Sequence, residues 1–246
     1  KGSDHSYFNE WEQLASTINY DVELPFSNTY VAQQLHNNIP HDSIMNFAIL
    51  NSLRSWSYFP LAAGIQGYAN VAAFGIDGCN SMLFGESMNT DKLCFIVTGD
   101  LAFFYDMNVL GIRHLKNNIR VLLINNGGGA EFKIMTGAWK ENPHVERYIS
   151  ANGHYGSTKG WAENCGFKYL TVSNKDEFTE VSSQFLDYSE QPVVLEVFTK
   201  EDDDALAVKT LIEANRHFSD SDKMKKILTN VIGEKGVKMI RSIIGK

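Results

Sequence analysis

The chain has 246 residues, with 22 Lys and Arg against 29 Asp and Glu, a net charge of −7. An apolar share of 43% and a charged share of 21% exclude a disordered chain. The acidic balance excludes nucleic acid as the main partner, because phosphate backbones select basic faces.

The opening KGSDHSYFNEW carries neither an initiator Met nor an apolar signal stretch, and reads as the start of a piece cut from a longer protein. Trp11, Leu14 and Ile18 recur at helical spacing, and Asn28 is placed to cap a second helix through Leu35. Residues 1–40 are therefore expected to be a helical linker from a preceding domain. After Pro40 the texture changes. Apolar, β-rich runs at 44–50, 93–98, 119–125, 167–172 and 193–198 alternate with helical patterns at 78–88, 101–116, 157–165 and 175–188. That alternation predicts βαβ units over residues 41–200: an α/β fold with a central, mostly parallel sheet of about six strands and helices on both faces. The runs FIV and VLLI are nearly continuous in apolar residues, as strands buried on both faces should be. Glu201, Asp202, Asp203 and Asp204 read as a solvated helix start. Beyond Ser219, Ile227, Val231, Met239, Ile240 and Ile243 predict a pair of amphipathic helices, so residues 201–246 are expected to be C-terminal helices. No apolar run approaches the ~18 residues of a membrane span, and no membrane partner is expected. Cys79, Cys94 and Cys165 form no CxxC pair. They read as structural thiols in a reducing, cytoplasmic setting.

In a parallel α/β sheet, ligands bind beyond the carboxyl ends of the strands. Gly99 and Asp100 follow one strand, and Asn125 and Asn126 close the next, Asn126 lying 26 positions after Asp100. An Asp carboxylate, an Asn amide oxygen and a loop carbonyl are hard oxygen donors suited to Mg²⁺ or Ca²⁺ rather than Zn²⁺. Residues 99–112 contain no Lys or Arg before Ile112, so a phosphate there would rely on helix N–H groups and a divalent ion. The expected ligand is a diphosphate bridging metal and helix. There is no GxxxxGK[ST], and Gly127, Gly128 and Gly129 do not form GxGxxG. The alternative is an unrelated nucleotide-binding or structural α/β domain.

The text GDLAFFYDMNVL…LLINNGGGAEF resembles the thiamin-diphosphate enzymes. Within them it is similar to the C-terminal, diphosphate-binding domain of the menaquinone-pathway 2-succinyl-5-enolpyruvyl-6-hydroxy-3-cyclohexene-1-carboxylate synthases and their polysaccharide-cluster relatives. Asn51-Ser52-Leu53 resembles the NSM segment of that family, and Gly75-Ile76-Asp77-Gly78 its GIDG. The resemblance covers residues 39–198. It implies a Rossmann-like thiamin-diphosphate-binding fold, with thiamin diphosphate and Mg²⁺ as cofactors. Asp100, Asn126 and the Gly128 carbonyl would hold the metal. Gly99, Leu101 and Ala102 would meet the diphosphate through backbone, and Gly75 and Ile76 would wedge the cofactor into its bent shape. The implied reaction is decarboxylation of a 2-keto acid donor and transfer of the resulting carbanion to a small-molecule acceptor. Alternatives within the resemblance are a simple 2-keto acid decarboxylase and a non-catalytic or split-subunit cofactor-binding module.

Two departures from the family text stand out. Val71 occupies the place of an Arg before GIDG, and Arg54 is shifted relative to the Arg of NSMPVRD. Those arginines face anionic substrate groups in the family, so a different 2-keto acid is expected here, with Asn51, Ser52 and Arg54 as substrate residues. The family's activating Glu lies on a separate domain supplied across a dimer interface. Glu86, Glu131 and Glu163 are acids of this chain, but no motif places them at the cofactor. The expectation is half of an active site, inactive alone and completed in a homodimer or tetramer. Asp106 and Asn108 match the family text and are expected to brace the first helical turn. His144 and His154 are candidate substrate residues, and His114 a favourable charge at a helix end.

Overall fold

The computed structural model describes residues 5–71, 75–134, 148, 153–154 and 156–216. The amphipathic helices expected past Ser219, and His144, lie outside them. The chain divides into two units, one of residues 1–19 and 212–246 and one of residues 20–211. Within the first, α1 (Ser6–Ala15) is a ten-residue helix exposed along its length.

The second unit is built on six strands, all parallel: β1 (Ile44–Phe47), β2 (Gln66–Ala69), β3 (Cys94–Gly99), β4 (Ile119–Asn125), β5 (Lys168–Val172) and β6 (Val193–Phe198). Their order across the sheet is β2-β1-β3-β4-β6-β5. This matches the α/β expectation. The central strands are buried on both faces. Phe95, Val97, Leu122 and Leu195 face a core shared with Leu24, Val31, Phe178 and Leu211. Ile96, Val121, Leu123 and Val194 face a second core with Leu83, Phe84 and Phe103. The alternation of faces along each strand places the two cores on opposite sides of one sheet.

The helices are α2 (Asn28–Leu35), α3 (Asn51–Ser57), α4 (Cys79–Ser87), α5 (Asp100–Tyr105), α6 (Glu131–Ile134), α7 (Lys159–Asn164), α8 (Lys175–Leu186) and α9 (Glu201–Ala214). Ser27, not Asn28, caps α2: its backbone is extended and its Oγ accepts from the Tyr30 N–H at 3.1 Å. β1 stops at Phe47 rather than running to residue 50, because Leu50 takes a positive φ of 71° and turns the chain into α3. The expected helix at 101–116 breaks at Asp106 into a 3₁₀ turn, Met107–Gly111. His114 therefore ends no helix. The Asp106 carboxylate accepts the Ser81 amide and hydroxyl, both at 2.6 Å. It braces the first turn of α4 rather than of its own helix. Strand β2 was not foreseen: QGYA has no apolar run, and it sits exposed at the sheet edge.

Among the described residues no helix is long and apolar enough to cross a membrane. Cys79 and Cys94 are buried, Cys165 half-buried, and all three are free thiols. Burial pushes the Cys94 thiol up to about 12, so it stays protonated and unreactive.

Candidate functional site: the carboxyl ends of β3 and β4

Gly99 of β3 pairs with Ile124 of β4. The residues that leave the two strands, Asp100 and Asn126, therefore emerge at nearly the same level of the sheet. Both line one cavity, together with Gly99, Leu101, Ala102 and Gly128. Asp100 is only 2% exposed. Its Oδ1 accepts from the Leu101 N–H at 2.7 Å, and its Oδ2 from the Gly127 N–H at 2.8 Å. The Leu101 amide, expected at a diphosphate, is thus engaged by its neighbour's carboxylate. His154 Nε2 lies 3.0 Å from Asp100 Oδ2, while its Nδ1 accepts from the Gly156 N–H at 3.1 Å. That pattern puts a proton on Nε2. Burial pushes the Asp100 carboxyl above the usual range, and the Leu101 N–H and His154 oppose it. His154 thus touches the proposed metal ligand itself.

Asn125 and Asn126 diverge. Asn125 Nδ2 donates to Glu196 Oε1 and to the Gly156 carbonyl, both at 2.8 Å. Asn126 Nδ2 donates to Asp204 Oδ2 at 2.8 Å, and its Oδ1 accepts from the Gly128 N–H at 3.2 Å. Asp204 corrects the expectation of a solvated helix start. It is 3% exposed and lines the cavity, and Glu201 is also buried. Asp202 alone in that run stands well out in water, its side chain 87% exposed while pairing with Lys133 at 3.0 Å, and Asp203 is half-buried. Asp204 also accepts from the Asn28 N–H at 2.7 Å and the Thr199 hydroxyl at 2.9 Å. Burial, chiefly, raises its carboxyl to about 6.

The Asn51-Ser52 segment reaches the same cavity from α3, and Ile76 from the loop before α4. Gly75 is not among the lining residues, although a side chain there would run into the Asp77 carboxylate. Arg54 does not line the cavity either. Its guanidinium donates to Asn51 Oδ1 at 3.0 Å and forms an ion pair with buried Glu131, which does line it. Glu131, Asp204 and Asn28 are the site residues that motif reading missed. Asn28 donates to the Asn51 carbonyl at 3.1 Å, and its buried Oδ1 has no partner among the described residues.

These donors fit a hard divalent cation and its diphosphate. A buried carboxylate residue, Asp100, an amide residue, Asn126, and Gly128 line one cavity with Asn28, whose buried Oδ1 has no partner among the described residues. Among the described residues no three His, Cys, Asp or Glu side chains cluster so as to hold a metal ion by themselves.

Comparison with known proteins follows the same segments. Residues 43–197 match the family model of the thiamine pyrophosphate enzymes, C-terminal TPP binding domain. The chain is 35% identical over 201 residues, 81% of its length, to a 2-succinyl-5-enolpyruvyl-6-hydroxy-3-cyclohexene-1-carboxylate synthase of Bacteroides thetaiotaomicron. It is 34% identical over 205 residues to that of Bacteroides fragilis, and 31% over 180 residues to that of Christiangramia forsetii. These matches cover 82% and 73% of this chain. They cover 36%, 36% and 31% of the relatives, so the chain spans about a third of the curated proteins it matches.

Proposed function

The chain belongs to the thiamine pyrophosphate enzymes, through their C-terminal TPP binding domain, and from that premise we propose that it supplies the diphosphate- and Mg²⁺-holding half of a carboligase active site. The reaction is decarboxylation of a 2-keto acid and addition of the remaining carbon unit to a small-molecule acceptor. The observation that carries this reading is the convergence of Asp100 and Asn126 on one cavity from neighbouring strand ends.

Asp100, Asn126 and the Gly128 carbonyl hold Mg²⁺ in this reading, and the backbone at Gly99 and Ala102 faces the diphosphate. Leu101 spends its N–H on steadying the Asp100 carboxylate. Ile76, at the cavity wall, bears on the cofactor's bend. Thiamin diphosphate, when bound, supplies the carbon nucleophile and the electron sink; the protein's task is to hold and orient it.

The donor and acceptor lie on the side of Asn51 and Ser52. Two features favour a less anionic substrate than the arginine-bearing relatives would take. Val71 is apolar, and Arg54 is already paired with Glu131.

The acids of this chain support a half-site. Glu131 is committed to Arg54, Glu86 accepts from Asn46 Nδ2 at 2.9 Å, and Glu163 is exposed on α7. A general acid–base at the pyrimidine side therefore comes from another domain, in an assembly of at least two chains. The test is hydrogen–deuterium exchange at the reactive thiazolium carbon, with Mg²⁺ present. The chain alone is expected to give no exchange above solution background, and addition of a domain carrying the acid to restore it. Fast exchange by the chain alone would overturn the half-site reading.

A further inference from the structure

Asn126 is proposed above as a metal ligand, yet an asparagine side chain is two-sided. One end accepts and the other donates, and only the accepting end can face a cation. What sets the orientation is the partner on the far side. Asp204 Oδ2 lies 2.8 Å from Asn126 Nδ2, and an ionised carboxylate accepts only. A flipped amide would set oxygen against carboxylate and NH₂ toward the cation, unfavourable at both ends.

Asp204 is itself fixed from three directions. The Asn28 N–H, at the start of α2, holds Oδ1 at 2.7 Å. The Thr199 hydroxyl, just past β6, holds Oδ2 at 2.9 Å. Asp204 in turn rides on α9 with Ala207, Val208 and Leu211 buried beneath it. The opposite atom, Asn126 Oδ1, receives, among the described residues, only the Gly128 N–H of its own loop, at a long 3.2 Å. The side chain is thus firmly anchored at its donor end and weakly held at its acceptor end, on a residue that lines the cavity.

We propose that Asp204 is a positioning residue for the cation site: it holds Asn126 with Oδ1 turned to the metal. The inference deepens the proposed function and rests on it for the identity of the ligand, but not for the orientation of the amide. An asparagine at 204 would restore the two-sidedness, since its own amide could turn either its oxygen or its NH₂ toward Asn126. An acid at this position, and not merely a polar residue, is what the geometry calls for.

The test uses the full chain and Mn²⁺ as the probe, with thiamin diphosphate present, read by electron paramagnetic resonance. Asp204→Asn is expected to weaken Mn²⁺ binding about tenfold or more. Because Asp204 acts through Asn126, the double variant Asn126→Ala with Asp204→Asn should bind no worse than Asn126→Ala alone. Wild-type-like binding by Asp204→Asn would overturn the inference. So would a double variant weakened by the full product of the two single losses, which would mean that Asp204 acts elsewhere. Should Asp204→Asn fail to fold, the unsubstituted metal-free chain decides by nuclear magnetic resonance. The Asn126 side-chain amide protons are expected to exchange slowly with solvent, and fast exchange would overturn the proposal. Absence of Mn²⁺ binding by the unsubstituted chain would sink the cation reading itself, and the exchange measurement would still judge the amide's orientation.

Discussion

Two adjacent asparagines end β4, and each donates to a buried carboxylate, but the two regions differ in kind. Asn125 meets Glu196, which has no exposed surface and also accepts from the Ser157 and Tyr169 hydroxyls, both at 2.7 Å, and from the Thr158 N–H at 3.2 Å. Asn126 meets Asp204, which accepts from three donors rather than four, and both line a cavity. One region is closed around Glu196, although the buried Thr158 Oγ1 beside it has no partner among the described residues. In the other, Asn126 and Asn28 line the cavity, the Asn126 oxygen held only by a long 3.2 Å contact from the Gly128 N–H and the buried Asn28 oxygen without a partner among the described residues. The same residue type thus serves as a lock at the last position of the strand and as half of a binding site at the next, where the chain leaves β4 for the loop. The difference lies in access: Asn126, Asp204 and Asn28 line the cavity, whereas Asn125, Glu196 and Thr158 do not.

The largest expected effect lies in the closed region. Glu196→Ala strips the acceptor from four donors at once, two of which, on Asn125 and Thr158, are buried. A loss of about 4 kcal/mol in unfolding free energy, measured by urea titration, is expected. A loss under about 1 kcal/mol would mean that the Asn125 region is not the lock described.

In the open region the expected effect is on binding. Asp100 is the sole full negative charge of the proposed cation shell. Asp100→Ala should weaken Mg²⁺-dependent thiamin diphosphate binding by more than about 100-fold, or about 2.7 kcal/mol, in calorimetry. Its cost to folding should be smaller than that of Glu196→Ala. Near-normal affinity would reverse the assignment of the two regions.

Acidity separates them further. Asp204 has its carboxyl raised to about 6, mainly by burial, above its value in an unfolded chain. The folded protein therefore takes up this proton first as pH falls. The stability attached to the protonated form is full below about pH 4 and is lost as pH rises toward 6. With one pKa unit worth about 1.4 kcal/mol, the metal-free chain should lose on the order of 2 kcal/mol relative to Asp204→Asn between pH 4 and pH 7. Parallel stability curves for the two proteins across that range would show that burial does not perturb Asp204.

Much of the closed architecture was legible in the sequence, because it repeats. Apolar runs at strand spacing and helices between them announced a parallel sheet, and register then brought Asp100 level with Asn126. The edge strand β2 was not legible, since an exposed four-residue strand leaves no apolar trace. Asp204 hid among four consecutive acids. Its signal was positional: Asp204, Ala207, Val208 and Leu211 fall on one helical face, the buried one. Glu131 and Arg54, 77 residues apart, meet only through the fold. Leu50 gave no warning either, because a positive φ is expected of Gly or Asn and not of a branched apolar residue.

The smallest effect tests whether the open region extends into α2. Two helices of the sheet unit carry side-chain N-caps of the same kind. Ser27 Oγ accepts from the Tyr30 N–H at 3.1 Å, and Asn174 Oδ1 accepts from the Glu177 N–H at 3.0 Å. Replacing either with Ala removes one cap and should cost about 1 kcal/mol of unfolding free energy. Their consequences for the site should differ. Behind Ser27 comes Asn28, whose N–H holds Asp204 Oδ1, and a loosened first turn of α2 loosens that grip. Behind Asn174 lies α8, none of whose residues lines the cavity. Ser27→Ala is therefore expected to weaken Mn²⁺ binding two- to threefold, and Asn174→Ala to leave it unchanged at equal cost to stability. Equal changes in the two variants would mean that Mn²⁺ affinity follows overall stability, and that the first turn of α2 has no particular hold on the site.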